Sequence, residues 1–177
     1  SDDARDCISC NAGRYGAAGS SAPQCTGGCA PGRYSTDSTA AGPAESDCIG
    51  CAAGKYVNTA GSSECIDCAA GRYIDVEASD DDDDCVACDG GRYGAPGSDT
   101  SQCTGNCAIG RYSTRLNPAG PTESDCSACE AGKYANIAGN DECINCAAGR
   151  YIDVEASDDP DDCIACDGGR YGAAGSR

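Results

Sequence analysis

The chain has 177 residues, 29 of them acidic against 12 basic, for a formal net charge of −17; it contains 18 Cys and no Met, Trp, Phe or His. Ile, Val and Leu number only 14 and the remaining apolar content is mostly Ala and Cys, a composition that leaves a chain disordered unless disulfides staple it. The lack of His excludes Ser/His and Cys/His catalysis, the acidity argues against nucleic acid and anionic membrane surfaces, and no apolar run is long enough to span a bilayer.

In chain order, residues 1–6 read as the end of a preceding module. Nine close cysteine pairs follow: Cys7/Cys10, Cys25/Cys29, Cys48/Cys51, Cys65/Cys68, Cys85/Cys88, Cys103/Cys107, Cys126/Cys129, Cys143/Cys146 and Cys163/Cys166. Their spacing repeats with a period of 78, and residues 7–84 and 85–162 agree at 54 positions. The chain therefore divides into a first four-module repeat (7–84), a second (85–162) and the start of a third (163–177). Fixed-period self-similarity marks a repeat architecture.

A shorter unit lies within the long one. The second cysteine of every pair is followed by x-x-Gly-(Arg/Lys)-Tyr, which places Gly13, Gly32, Gly54, Gly71, Gly91, Gly110, Gly132, Gly149 and Gly169 two residues before Tyr15, Tyr34, Tyr56, Tyr73, Tyr93, Tyr112, Tyr134, Tyr151 and Tyr171. Gly three residues after Cys suits a tight turn with positive φ. Tyr is the one large apolar body of the module, expected to lie over the neighbouring disulfide and to open an extended stretch, clearest in Tyr73–Val76. Ile or Val follows the first cysteine in six pairs (Ile8, Ile49, Ile66, Val86, Ile144, Ile164) and reads as a second packing contact between modules. The loops between are turn chemistry throughout. The expected fold is small and disulfide-rich, an elongated linear array of short β-hairpin modules with little or no helix.

Spaced Cys-x2-Cys pairs also fit zinc ribbons. Nine pairs do not divide into four-cysteine sites, however, and nothing else in the chain suggests an intracellular role. The chain-entropy model gives about 3 kcal/mol for bridging a loop of roughly 15 residues, against about 1–2 kcal/mol for each residue ordered, so loop tips are expected to be mobile unless neighbours pin them.

The acid runs Asp80–Asp84 and Asp158–Asp162 read as solvated loops. No cofactor is expected; if an ion binds, calcium is the one these carboxylates would take, with Asp75, Glu77, Asp80 and Asp82 as ligands and Asp153 and Glu155 in the second copy. The Arg or Lys of each motif is expected to offset the acidity between modules through ion pairs or by lying on a ring. No Asn-x-Ser/Thr sequon occurs, while the Ser/Thr/Pro loops 35–43 and 113–122 permit O-linked sugars.

Cys-x2-Gly-x-Tyr…Gly…Cys-x2-Cys resembles the ephrin-receptor-like cysteine-rich repeats of protist and algal surface and appendage proteins, and the first submodule of tumour-necrosis-factor-receptor cysteine-rich domains. The resemblance implies that the second cysteine of one pair bonds the first of the next. Carried over, it pairs Cys10–Cys25, Cys29–Cys48, Cys51–Cys65, Cys68–Cys85, Cys88–Cys103, Cys107–Cys126, Cys129–Cys143 and Cys146–Cys163, and leaves Cys7 and Cys166 to partners outside 1–177. The segment is then expected to be an excerpt of a longer array. The chain lacks the receptor domains' interleaved second submodule, and four loops of different length recur in fixed order. These features lead to a secreted or cell-surface structural protein, not an enzyme, that forms an extracellular filament with copies of itself or other structural chains through periodic surfaces. The rival reading is the ectodomain stalk of a receptor or adhesin.

Overall fold

The computed structural model describes residues 9–19, 21, 25–36 and 41–177. They fall into two compact units, Ser1–Cys68 with Ile74–Val86 and Ala69–Tyr73 with Ala87–Arg177. Eight two-stranded sheets occur among the described residues. Every strand is two residues long. The first strand of a hairpin is the Arg/Lys-Tyr of the motif; the second lies just before the next opening cysteine. Lys55–Tyr56 thus pairs antiparallel with Ile66–Asp67, and Lys133–Tyr134 with Ile144–Asn145. The longest helical pieces among the described residues are three-residue 3-10 turns at Glu45–Asp47, Asp82–Asp84, Glu123–Asp125 and Pro160–Asp162.

This geometry accounts for the cysteine spacing. In an extended segment residues i and i+3 face opposite sides. Two intervening residues therefore turn one cysteine back toward the module it closes and the other forward into the module it opens. The bonds are Cys10–Cys25, Cys29–Cys48, Cys51–Cys65, Cys68–Cys85, Cys88–Cys103, Cys107–Cys126, Cys129–Cys143 and Cys146–Cys163, which define modules one to eight. Two pairs, Cys25/Cys29 and Cys103/Cys107, carry a third intervening residue. Cys25 and Cys103 have φ of 50° and 49°, a left-handed kink that absorbs the extra residue as a bulge does.

Consecutive modules are joined by backbone. The motif glycines all have positive φ, between 76° and 91°. In the first unit the Gly13, Gly32 and Gly54 N–H groups donate to the carbonyls of Ser35, Val57 and Ile74, each the residue after the next module's Tyr. In the second unit Gly91, Gly110 and Gly149 donate likewise to Ser113, Ala135 and Gly172. The glycine carbonyl accepts from the next opening cysteine, as in Cys29 to Gly13 and Cys107 to Gly91, both 2.8 Å. Loop residues reach back as well: Gly61 N–H donates to the Cys29 carbonyl, Gly139 to Cys107 and Ala156 to Cys129, each at 2.8 Å. These loop tips are pinned by their neighbours.

Four small cores form, each joining the Tyr of one module to the disulfide of the next. Tyr15 packs on Cys29, Ala41 and Cys48, and Tyr56 on Cys68, Ile74 and Cys85. Tyr93 and Tyr134 repeat this with Cys107, Ala119 and Cys126 and with Cys146, Ile152 and Cys163. The aromatic ring lies over the neighbouring disulfide, as its size and isolation implied.

Two expectations are corrected. The aliphatic residue after the first cysteine does not pack between modules: Ile49, Ile66, Val86, Ile144 and Ile164 are 40–53% exposed, while Ile8 lies outside the described residues. It sits in the second strand, opposite Tyr, on the outer side of its own hairpin. The core position is instead the residue after Tyr, buried as Ser35, Val57, Ile74, Ser113, Ala135 and Ile152. Nor does an extended strand run over Tyr73–Val76; it ends at Tyr73, because the next carbonyl turns inward to accept the preceding glycine N–H.

Burial also separates the bridges. The closing cysteines Cys48, Cys85, Cys126 and Cys163 of the even modules are buried, whereas Cys25, Cys65, Cys103 and Cys143 of the odd modules are half-exposed. A brief pulse of limiting phosphine followed by alkylation and peptide mapping is expected to label the odd-module cysteines first. Equal labelling of both sets would show that access does not govern reduction here.

Candidate interaction surface

Ten of the 13 described Ile, Val and Leu residues are exposed; only Val57, Ile74 and Ile152 are buried. Three of the exposed ones recur 78 residues apart with matching exposure: Ile66 and Ile144 (49% and 43%), Val76 and Val154 (55% and 54%), and Val86 and Ile164 (47% and 53%). Each unit carries one such triplet. The hairpin register places Ile66 opposite Tyr56, Ile144 opposite Tyr134 and Ile164 opposite Tyr151. Directly opposed residues on one face stand about 5 Å apart, so each of these exposed aliphatic residues adjoins a half-buried ring.

The acid runs lie between the last two members of each triplet. Asp81 and Asp159 accept from the backbone N–H of Asp83 and Asp161, and cap the turns Asp82–Asp84 and Pro160–Asp162. Ser79 and Ser157, both buried, donate their hydroxyls to Asp84 and Asp162. These bonds hold each run as a short turn of carboxylates facing water. Asp75, Glu77, Asp80 and Asp82 are exposed, as are Asp153 and Glu155, and no group of three or more ligating side chains gathers among the described residues.

Four of the motif cations bond close to their own hairpins rather than between modules. Arg33 donates to the Ser46 and Cys48 carbonyls, Arg111 to those of Ser124 and Cys126, and Arg150 to that of Cys163. Each thereby braces the turn before its own module's closing cysteine. Lys55 pairs with Asp67 across its own hairpin. A further ion pair joins Arg115, outside the motif, to Asp89.

Asp125 shows how such a turn responds to pH. The Thr122 hydroxyl and N–H donate to its carboxylate at 2.7 and 2.9 Å and hold its pKa below the ordinary 3.8, against a small opposing effect of desolvation. The charged form is favoured on folding, so the contribution to stability is present above that ordinary value and is lost as pH falls through the lower, folded one. Thr122→Ala is expected to raise the Asp125 pKa in a carboxylate NMR titration. An unchanged value would mean that the hydroxyl does not hold the charge.

The family model described as Tyrosine-protein kinase ephrin type A/B receptor-like matches residues 39–85 and 119–163, just over half of the chain. The chain belongs to this ephrin-receptor-like family. The matched segments span the disulfides Cys51–Cys65, Cys68–Cys85, Cys129–Cys143 and Cys146–Cys163 and the first two members of each triplet, and end one residue before Val86 and Ile164. No curated protein matches the chain. Ephrin-receptor-like repeats and eight disulfides point to an extracellular or cell-surface module. Cys166, the opening cysteine of the ninth motif, is half-buried and free in the structure, and Cys7 lies outside the described residues. No helix of the described residues is long and apolar enough to cross a membrane.

Proposed function

We propose that the chain is a structural component of an extracellular filament or surface appendage, a disulfide-stapled repeat that assembles through surfaces recurring every 78 residues. The observation that carries this reading is the repeated exposed triplet, Ile66–Val76–Val86 and Ile144–Val154–Ile164. A chain with 14 aliphatic residues that leaves ten of them in water has assigned its apolar surface to contacts outside itself. Equivalent exposed positions that recur along the sequence can each be engaged in the same way, and heterologous contacts of that kind build open assemblies. The stalk of a receptor or adhesin would leave the triplets without a purpose.

Sedimentation of the chain extracted from its native source, without reductant or denaturant, tests the reading. Particles many times the mass of the chain are expected. A monomer at all concentrations would overturn it.

A further inference from the structure

We propose that the repeated apolar positions receive a basic polypeptide segment in which Lys or Arg alternates with aliphatic residues; this rests on the assembly reading above and names its partner. The decisive feature is what surrounds the exposed aliphatics. In module eight Val154 and Ile164, each more than half exposed, flank Asp158, Asp159, Asp161 and Asp162; in module four Val76 and Val86 flank five consecutive Asp residues. The carboxylates of these turns accept from the hydroxyls of Ser79 and Ser157 and from backbone N–H groups, and in module eight the Arg150 guanidinium bonds the Cys163 carbonyl beside them rather than a carboxylate. In module eight four carboxylates thus stand beside one guanidinium, and the charge is in excess. Five of the chain's own cations are already engaged: Arg33, Arg111 and Arg150 by carbonyls of their own modules, Lys55 by Asp67 and Arg115 by Asp89.

A second copy is a poor occupant. It would bring another 17 net negative charges to the contact. A purely cationic chain would meet the carboxylates but leave Val154 and Ile164 in water. A segment with both characters covers the aliphatic side chains and answers the charge, and its Lys or Arg stems add apolar contact of their own. The 78-residue spacing gives two equivalent places per 177 residues.

The test uses the oxidised full chain and a fluorescent peptide built of alternating Lys and Leu pairs, with octa-arginine as comparator. Binding at two sites is expected, weakened several-fold when salt is raised from about 0.05 M to about 0.3 M. The variant V76S/V86S/V154S/I164S alters exposed positions only, and an unchanged disulfide map verifies its fold. It is expected to bind the Lys/Leu peptide about tenfold more weakly while octa-arginine binding stays the same. Equal binding of the peptide to both proteins would reduce the interaction to charge alone and overturn the proposal, as would no binding. Self-association of the chain without peptide, abolished in the variant, would make the occupant a second copy; that outcome overturns this inference and leaves the assembly reading standing. A native monomer overturns the assembly reading whatever the peptide does.

Discussion

Gly91→Ala is expected to destabilise the second unit by about 3 kcal/mol or more, a large share of a small domain's stability. Two costs combine. Gly91 has a φ of 77°, where an L-residue costs about 1–2 kcal/mol. A Cβ there would also stand 1.9 Å from the Gly139 carbonyl oxygen and 2.3 Å from its carbon, two modules ahead. The loop would have to withdraw and release the Gly139 N–H from the Cys107 carbonyl. Gly149 supplies the control: its φ is 81°, yet nothing lies within 4 Å of the added Cβ. Gly149→Ala should therefore cost only the conformational part, about 1–2 kcal/mol. Denaturant unfolding of both variants, with amide exchange at Gly139, checks the difference. Equal costs would mean that contact between alternate modules is not what requires glycine at position 91.

Full reduction is expected to abolish the fold. Cystine is itself most of the core: among the described residues the buried apolar ones are 11 cysteines, three aliphatics and three alanines. Each bridge closes a loop of 14–19 residues. At about 3 kcal/mol per bridge, losing three of them removes about 9 kcal/mol, comparable to the whole stability of an ordinary domain. Circular dichroism of the reduced, alkylated chain should show neither a cooperative thermal transition nor the native spectrum. A transition that survives reduction would show that the Tyr clusters and the glycine-centred backbone bonds suffice.

The part of this architecture that repeats was legible in the sequence. Nine glycines at one phase announced nine left-handed turns, and a lone Tyr per module had only a disulfide to lie on. The choice of core residue was not, because Ile66 and Ile74 are chemically the same. What separates them is a backbone bond: the Ile74 carbonyl accepts from Gly54 and carries the residue inward, while Ile66 stays on the outer side of its hairpin, opposite Tyr56. One sequence signal does distinguish the positions. The residue after Tyr is Gly, Ser, Val, Ile or Ala in all nine modules, and never charged in a chain that is 23% charged. The partners of Arg33 and Arg150 were not legible for a similar reason. Arg33 and Arg150 have acidic residues within reach in sequence, but their guanidinium groups find carbonyls of their own module, which no charge count reveals.

The contact between chains is tested most directly by covalent footprinting of aliphatic side chains in the native assembly and in the isolated chain. Protection on assembly is predicted at Ile66, Val76, Val86, Ile144, Val154 and Ile164, in two sets 78 residues apart, with Leu116, which is 99% exposed and has no aliphatic counterpart in the first copy, labelled equally in both. Unchanged labelling of the two triplets in the native material would contradict the account.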